Sequence, residues 1–172
     1  MNLNIDLIKN RKQLYFLLGG MAFWLLLIVL GPIFKSSESN TLINISDYMY
    51  FFFEPVCHQI PERSILLYSE SMTVCTRCFA IYFGAFIFLI LIIVQKKRYY
   101  INPSWMIFFS LPTVIDFVLE KFGLYVNIPI IRVITGLIFG VAIIYLILYS
   151  ILDAKNENKL KREICYGKSE IN

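Results

Sequence analysis

Charged residues are scarce in this chain of 172 residues, making up 16% of it against 58% hydrophobic residues. Soluble domains carry about 25% charged residues, so the composition excludes an ordinary soluble domain and indicates a protein that lies in a lipid bilayer. The net charge of +4 is small and spread along the chain, which argues against a nucleic-acid-binding protein. The length suits one compact unit, and its expected surroundings are lipid.

Long apolar runs take the place of the missing charge. Four of them are long enough to cross a hydrocarbon core, which needs about 20 residues. They extend over residues 14–34, about 74–94, about 101–123 and about 128–152. Each is predicted to be a helix, because an isolated strand cannot satisfy its backbone hydrogen bonds in lipid. We therefore predict an all-α fold in which a four-helix transmembrane bundle covers residues 14–153.

Lysine and arginine are concentrated in three short segments outside the apolar runs. Residues 9–12, 96–98 and 155–168 hold 11 of the 16 basic residues. Four spans place all three segments on one side of the membrane, and the positive-inside rule makes that side the cytoplasm. We expect a multi-pass protein of the cell membrane, with residues 1–13 and the tail at 154–172 in the cytoplasm and an outer loop at about 35–73.

The outer loop is expected to contain two short helices separated by a turn. Ser46 or Asp47 can cap a helix that begins with "YMYFFFEP", whose aromatic residues suit the membrane surface. Pro55 and Pro61 bracket "VCHQI", which predicts a non-helical turn. The following stretch "PERSILLYSE" has proline in a first-turn position and is predicted to be the second short helix.

Histidine occurs once, and three of the four cysteines lie close to it in sequence. Cys57, His58, Cys75 and Cys78 fall on the outer side of the predicted bundle, whereas Cys165 falls in the cytoplasmic tail. Disulfides form readily outside the cytoplasm, but three thiols in one chain cannot all pair with one another. The odd thiol needs an explanation, and two kinds of chemistry offer one.

A bound metal ion uses all three outer thiols. Cys75 and Cys78 form a C-x-x-C, and with Cys57 and His58 they make a Cys3His set, which is a common tetrahedral zinc shell. Because Cys57 and His58 are neighbours, their side chains diverge unless the backbone turns sharply. Water or a carboxylate is the alternative fourth ligand. Zinc is the expected cofactor, at the extracytoplasmic edge of the bundle.

Thiol redox chemistry is the alternative. A C-x-x-C at the start of a helix gains thiolate stabilisation from the helix N-terminus, and Arg77 lies between the two cysteines. The topology is similar to that of quinone-linked membrane thiol oxidases, although the second cysteine pair of those enzymes is missing here; a membrane quinone would be the cofactor. A purely structural disulfide and a carrier of a small solute or ion are further interpretations, and the scarcity of polar residues on the first two spans argues against the carrier.

Ionisable residues inside the predicted spans are costly and are functional candidates. Asp116 and Glu120 are four residues apart, which places them on one face of the third span. Arg132 enters the fourth span from the outer side at a similar depth. We expect an ion pair between this face and Arg132, either as a structural contact or as part of the site.

The motifs "CHQIPERS", "VCTRCFAIYFG", "LPTVID" and "IRVITGLIFG" resemble the small bacterial and archaeal membrane proteins grouped as domain of unknown function 2085. The resemblance covers nearly all of the chain after the first span. It departs at Ala80 and Phe117, where the family pattern has glycine. It implies a polytopic membrane fold and no established reaction. The matching residues are Cys57, His58, Gln59, Arg63, Ser64, Cys75, Arg77, Cys78, Ile81, Tyr82, Gly84, Pro112, Asp116, Arg132, Thr135 and Gly136.

The candidate site combines these groups at the outer third of the bundle. The expected metal ligands are Cys57, His58, Cys75 and Cys78. The binding or supporting residues are expected to be Gln59, Arg63, Ser64, Arg77, Tyr82, Asp116, Glu120 and Arg132. The arginines either hold the loop through backbone carbonyls or bind an anionic lipid head group or a phosphate.

Overall fold

The computed structural model describes the backbone of residues 11–95, 103–122 and 128–169, and the side chains in these ranges other than those at 11, 103, 120–121 and 152–169. The described ranges contain five α-helices: α1 Arg11–Lys35, α2 Asn40–Phe53, α3 Thr76–Gln95, α4 Pro103–Lys121 and α5 Pro129–Ser169. Between α2 and α3 come a 3-10 turn, Pro61–Arg63, and two antiparallel strands, β1 Leu66–Leu67 and β2 Glu70–Ser71. The prediction of a helical fold is confirmed for the described chain.

Three of the described helical segments are long and apolar enough to cross a membrane: Lys12–Lys35, Thr76–Gln95 and Pro129–Ile151. Their limits lie within a few residues of the first, second and fourth predicted spans. The third predicted span corresponds to α4, whose apolar part, Ser104–Leu119, is shorter. Proline at the first helical position and the helix end at Lys121 limit α4 to 19 residues. The described chain therefore has three membrane-crossing candidates and one shorter apolar helix.

Helices α3 and α5 approach each other closely through glycine. Gly136 faces Ala80, and a Cβ added at Gly136 would lie 2.8 Å from the Ala80 Cβ. A Cβ at Gly136 would also lie 2.9 Å from the Arg77 carbonyl oxygen, and one turn further along both helices a Cβ at Gly140 would overlap the Ile81 carbonyl oxygen. Gly84 faces the backbone of α5 in the same way. Because the contact positions advance together along both helices, α3 and α5 run parallel.

Pro32 shapes the end of α1. Proline has no N–H, so the carbonyl of Ile28, four residues earlier, loses its helical donor. The Thr73 hydroxyl replaces that donor and bonds the Ile28 carbonyl oxygen at 3.2 Å. The Ser46 hydroxyl likewise donates to the Gly31 carbonyl oxygen at 2.8 Å. Both hydroxyl-bearing residues are fully buried, so these two bonds fasten the segment between α1 and α3, residues 36–75, to α1.

Helix α2 begins earlier than predicted. It starts at Asn40, after Ser39 in an extended conformation, and no side-chain cap bonds its first turn. The prediction that Ser46 or Asp47 caps this helix is wrong, because Ser46 lies inside it and directs its hydroxyl at α1. A serine can cap a helix, but inside a helix its hydroxyl can also bond a backbone carbonyl. The sequence alone does not distinguish these two roles.

The prediction of a second short helix in this loop is also wrong beyond the first turn. Only Pro61–Arg63 is helical, and the chain then forms the β1–β2 ribbon. Tyr68 and Ser69 connect the strands with φ values of 53° and 69°. Positive φ at both central residues gives a two-residue turn that matches the twist of a hairpin. The expected non-helical turn at "VCHQI" is confirmed.

Two hydrophobic clusters lie at opposite ends of the described bundle. One joins the start of α1 and α4 to the ends of the apolar parts of α3 and α5, with Leu14, Leu89 and Tyr145 among its buried members. The other lies beneath the segment between α1 and α3 and contains Ile28, Phe53, Cys57, Met72 and Val74. The second cluster places Cys57 in an apolar interior and so provides the base of the candidate site.

Gly140→Ala is expected to lower the free energy of unfolding by about 1–3 kcal/mol, because its methyl group would overlap the Ile81 carbonyl oxygen and push α3 from α5. Thermal unfolding in detergent micelles, followed by circular dichroism, measures the change. Gly20→Ala is the matched control, since nothing lies within 4 Å of a Cβ there. Equal melting of the two variants would contradict the close parallel packing.

Candidate metal centre

The turn after α2 buries Cys57 and exposes His58. The Cys57 N–H donates to the Phe53 carbonyl oxygen at 2.9 Å, which adds one more bond to the end of α2. Gln59 follows with a left-handed φ of 51°, and its side-chain amide donates to the Tyr50 carbonyl oxygen at 2.6 Å. The two neighbouring side chains diverge: Cys57 lies in the core and His58 faces outward.

Tyr50 connects α2 to the ribbon and to α1. Its hydroxyl donates to the Ser71 carbonyl oxygen, and the Lys35 Nζ lies 4.6 Å from the centre of its ring. Burial, with the nearby charge of Glu70 as the second cause, raises the pKa of Tyr50 to about 12. The hydroxyl therefore remains protonated at neutral pH and keeps its hydrogen bond to the ribbon.

The C-x-x-C lies at the first turn of α3. The Cys75 carbonyl oxygen accepts the Phe79 N–H at 3.0 Å, so Cys75 immediately precedes the helix and Cys78 lies within its first turn. The Cys75 N–H points the other way and donates to the Cys57 Sγ at 3.1 Å. A helix N-terminus stabilises nearby negative charge, so this position favours thiolates.

Three of the cysteines form one cluster. The sulfur atoms of Cys57, Cys75 and Cys78 all lie within 4.8 Å of one another, and all three are free thiols. Hydrogen bonds from the side chains of Cys75 and then Cys78 hold the pKa of Cys57 well below its usual range. Tetrahedral zinc with bonds of about 2.3 Å to sulfur places its thiolates about 3.8 Å apart. The cluster therefore fits a zinc ion with small movements of the side chains.

Aromatic side chains line one side of the cluster. Trp24 of α1 meets Phe53 edge-to-face with ring centres 5.0 Å apart, and Tyr82 of α3 at 5.9 Å. Tyr82 is one turn beyond Cys78 and packs on the hydrophobic cluster that contains Cys57. These rings and the three cysteines therefore belong to the same hydrophobic cluster. Trp24 was missed by sequence analysis, since nothing in the pattern of the first span distinguishes it.

A buried ion pair lies beside the C-x-x-C. The guanidinium of Arg77 in α3 bonds the carboxylate of Asp116 in α4, with side chains only 14% and 5% exposed. Arg77 also lies 6.0 Å from the centre of the Phe117 ring, at a position where the family pattern has glycine. The sequence indicated that Asp116 was a paired charge but not that Arg77 was a partner. The pairing with Arg132 stays a prediction, and the side chain of Glu120 lies outside the described residues.

Three further predicted site residues line a cleft that contains none of the three thiols. Arg63 is exposed, Ser64 is half-buried and Arg132 is buried, and all three line a cleft of about 450 Å³ between the 3-10 turn and the start of α5. The Ser64 hydroxyl donates to the Ile60 carbonyl oxygen at 3.0 Å, so it holds the turn. The structure thus divides the predicted site into a thiol cluster, an ion pair and an arginine-lined cleft.

Comparison with known proteins agrees with the sequence motifs. A family model described as "Predicted membrane protein (DUF2085)" matches residues 57–146, from the first cysteine of the cluster into α5. The chain belongs to this family. All three thiols, the Arg77–Asp116 pair and Arg132 fall within the matched residues. The resemblance inferred from the motifs is therefore confirmed.

Two archaeal relatives extend the match. An uncharacterized protein of Methanocaldococcus jannaschii is 33% identical over 143 residues, which cover 80% of this chain and 92% of that protein. An uncharacterized protein of Methanothermobacter thermautotrophicus is 30% identical over 92 residues, covering 53% of this chain and 83% of that protein. No solved structure matches the chain. The descriptions of these relatives name no activity.

Arg77→Met is expected to destabilise the fold by about 3–5 kcal/mol, because it leaves the buried Asp116 carboxylate without this counter-charge. The double variant Arg77→Met with Asp116→Leu is expected to recover most of that loss. Thermal unfolding of both variants in detergent provides the comparison. If the double variant were less stable than the single one, the two side chains would not act as a pair.

Proposed function

We propose that this chain is a four-span membrane protein that binds zinc through Cys57, Cys75 and Cys78 at the extracytoplasmic edge of the bundle. The observation that carries the proposal is the approach of three free sulfur atoms, from two separate segments, to within 4.8 Å of one another. A disulfide would use two of these atoms, whereas a metal uses all three. Zinc is the expected ion because thiolate ligands in a tetrahedral set favour it.

Parallel packing of α3 and α5 supports four membrane crossings. Two parallel spans require the chain to return across the membrane between them, and α4 is the described element in that part of the chain. The seven residues on either side of α4, 96–102 and 122–128, extend to about 24 Å at most, less than a hydrocarbon core of about 30 Å. Helix α4, with 19 residues, is about 28 Å long.

The Arg77–Asp116 pair supports the same topology. Arg77 lies in the first turn of α3 and Asp116 near the end of α4, so these two helices are antiparallel. With α1 as the first crossing, the basic segments at 9–12, 96–98 and 155–168 then share one side. The positive-inside rule assigns that side to the cytoplasm, which leaves the thiol cluster on the outer side.

Three cysteine ligands leave one position of a tetrahedral zinc ion open. His58 faces outward in the described structure, so we propose solvent or a substrate atom as the fourth ligand. Zinc would supply Lewis acidity to whatever occupies that position. The chain contributes the rest: the α3 N-terminus stabilises the thiolates, and Trp24 and Tyr82 pack on the hydrophobic cluster that contains Cys57.

Thiol–disulfide exchange is the second candidate, and the same sulfur distances favour it. Oxidation of Cys75 and Cys78 to a disulfide releases two protons and two electrons, which a membrane quinone would take up to form a quinol. Cys57 would then act as the exchanging thiol. Metal content and thiol count separate the two candidates, since a protein with zinc bound keeps all its cysteines reduced.

Cys57→Ser, Cys75→Ser and Cys78→Ser are each expected to lower zinc content from about one ion per chain and to reduce thermal stability, because loss of a ligand removes binding free energy that supports the fold. Elemental analysis of protein purified without chelator or an affinity metal measures zinc. Cys165→Ser is the matched control and should retain zinc, as should His58→Ala. Zinc-free wild-type protein with two thiols missing would refute the metal centre and favour the redox candidate.

Reporter fusions test the topology separately. Fluorescent protein joined after residue 98 or residue 172 is expected to be bright, and alkaline phosphatase at the same positions inactive, because both positions are cytoplasmic. Alkaline phosphatase joined at residue 38 is expected to be active. Opposite signals at residues 98 and 172 would show an odd number of crossings between them and overturn the four-span arrangement.

A further inference from the structure

Helix α2 runs antiparallel to α1 and returns toward the middle of that helix. The Ser46 hydroxyl bonds the Gly31 carbonyl oxygen at 2.8 Å, and Phe53 meets Trp24 with ring centres 5.0 Å apart. The steps from Ser46 to Phe53 on α2 and from Gly31 to Trp24 on α1 cover the same number of residues in opposite directions. With a rise of about 1.5 Å per residue, the end of α2 lies about 10 Å nearer the middle of α1 than Gly31 does.

Helix α3 gives the depth of that level in the membrane. Trp24 also meets Tyr82 of α3, with ring centres 5.9 Å apart. Tyr82 lies about 9 Å along the helix from Thr76, the first residue of α3. The 20 residues of α3 extend about 30 Å, which is the thickness of a hydrocarbon core. If α3 crosses the membrane, the end of α2 therefore lies about 9 Å inside that core.

The polarity of α2 changes along its length in the direction that this depth requires. Asn40, Asn44 and Asp47 all lie in its first half or close to it. Residues 48–53 read YMYFFF, with the tyrosines before the three phenylalanines. Tyrosine favours the membrane interface, and phenylalanine is readily buried in the apolar core. The sequence of α2 therefore suits a helix whose second half lies deeper in the membrane than its first.

The carbonyl oxygens at the end of α2 find hydrogen-bond donors within the chain. The Phe53 carbonyl oxygen accepts the Cys57 N–H at 2.9 Å. The Tyr50 carbonyl oxygen accepts the Glu54 N–H at 3.1 Å and the Gln59 side-chain amide at 2.6 Å. Irregular backbone is tolerated at membrane depth only where protein or water satisfies its polar groups. These bonds meet that requirement for both carbonyls.

Two flanks of α2 are exposed and differ in chemistry. Tyr48 and Phe52, one turn apart, form an apolar flank and are 76% and 56% exposed. The Phe52 ring lies 5.8 Å from Trp24, so this flank borders α1, a helix long and apolar enough to cross a membrane. Asp47 and Glu54, two turns apart, are exposed on the other flank. Acyl chains can therefore cover one flank while the charged groups of the other face water.

We propose that α2 is a re-entrant helix whose apolar flank, formed by Tyr48 and Phe52, lies against lipid acyl chains in the leaflet on the thiol side. Charged residues at membrane depth face a water-filled cavity or the bundle interior, so the flank of Asp47 and Glu54 opens to water. The turn that carries Cys57 then begins inside the membrane. Lipid contact at α2 does not depend on a metal at the thiols, so the two proposals are tested separately.

Photo-crosslinking of the full chain in phosphatidylcholine vesicles identifies what covers each flank. p-Benzoyl-phenylalanine replaces Phe52, Asp47 or Phe23 in separate samples, and mass spectrometry identifies the adducts. Adducts to acyl chains are expected at position 52 and at position 23, which is exposed on α1 and serves as the positive control. Few are expected at position 47. Adducts between two copies of the chain at position 52, no acyl adduct there, or equal acyl adducts at positions 47 and 52 would overturn the proposal.

Paired substitutions test the depth of α2. Phe52→Lys is expected to melt at least about 2 °C below Phe52→Ala in bicelles, because both variants lose the ring contact with Trp24 and only lysine places a charge in lipid. Asn44→Lys and Asn44→Ala are the matched control and should melt together, since Asn44 is exposed two turns nearer the start of α2. Equal melting of the two Phe52 variants would contradict the re-entrant position. If Phe52→Lys fails to fold, photo-crosslinking still decides the question.

Discussion

The close approach of α3 and α5 determines where everything else can lie. Glycines at 84, 136 and 140 let the two backbones meet, and any side chain there would overlap a neighbouring helix. Because the helices are parallel, their N-terminal turns lie at the same end of the bundle. The C-x-x-C begins one helix and Arg132 lies near the start of the other. The thiol cluster and the arginine-lined cleft are neighbours for this reason.

The segment between α1 and α3 is held in place by a hydrogen bond that compensates for Pro32 in α1. Pro32 leaves the Ile28 carbonyl without its helical donor, and an unsatisfied carbonyl near lipid is costly. Thr73, just before the C-x-x-C, supplies the missing hydrogen bond. The same bond that satisfies α1 therefore fixes the approach of the chain to α3, and with it the position of Cys75.

Features that depend on local hydrophobicity were readable from the sequence. The limits of the three long apolar helices follow from run length alone, and the turn between Pro55 and Pro61 follows from proline. The hairpin was not predictable, because Tyr68 and Ser69 adopt positive φ without the Asn or Gly that usually signals such a turn. Its geometry is set by the long-range bond from Tyr50 and by strand pairing.

The sequence predicted which residues belong to the site better than how they are arranged. The three cysteines suggested one cluster because an odd thiol needs a role, and the structure brings them together. The outward orientation of His58, next to the buried Cys57, was not predicted, because the sequence does not show which of two neighbouring side chains is buried. The partner of Asp116 depends on which helices pack together, and a single sequence carries no such information.

The position of the thiol cluster along the chain also has a consequence for biosynthesis. All residues of the thiol cluster precede residue 83, so they are translated and inserted before α4 and α5. They include the three cysteines, Thr73 and the aromatic residues Trp24, Phe53 and Tyr82. The cluster can therefore assemble on a partly synthesised chain. The arginine-lined cleft needs Arg132 and is complete only after the last helix enters the membrane. The order of membrane insertion thus allows the thiol cluster to assemble before the cleft is complete.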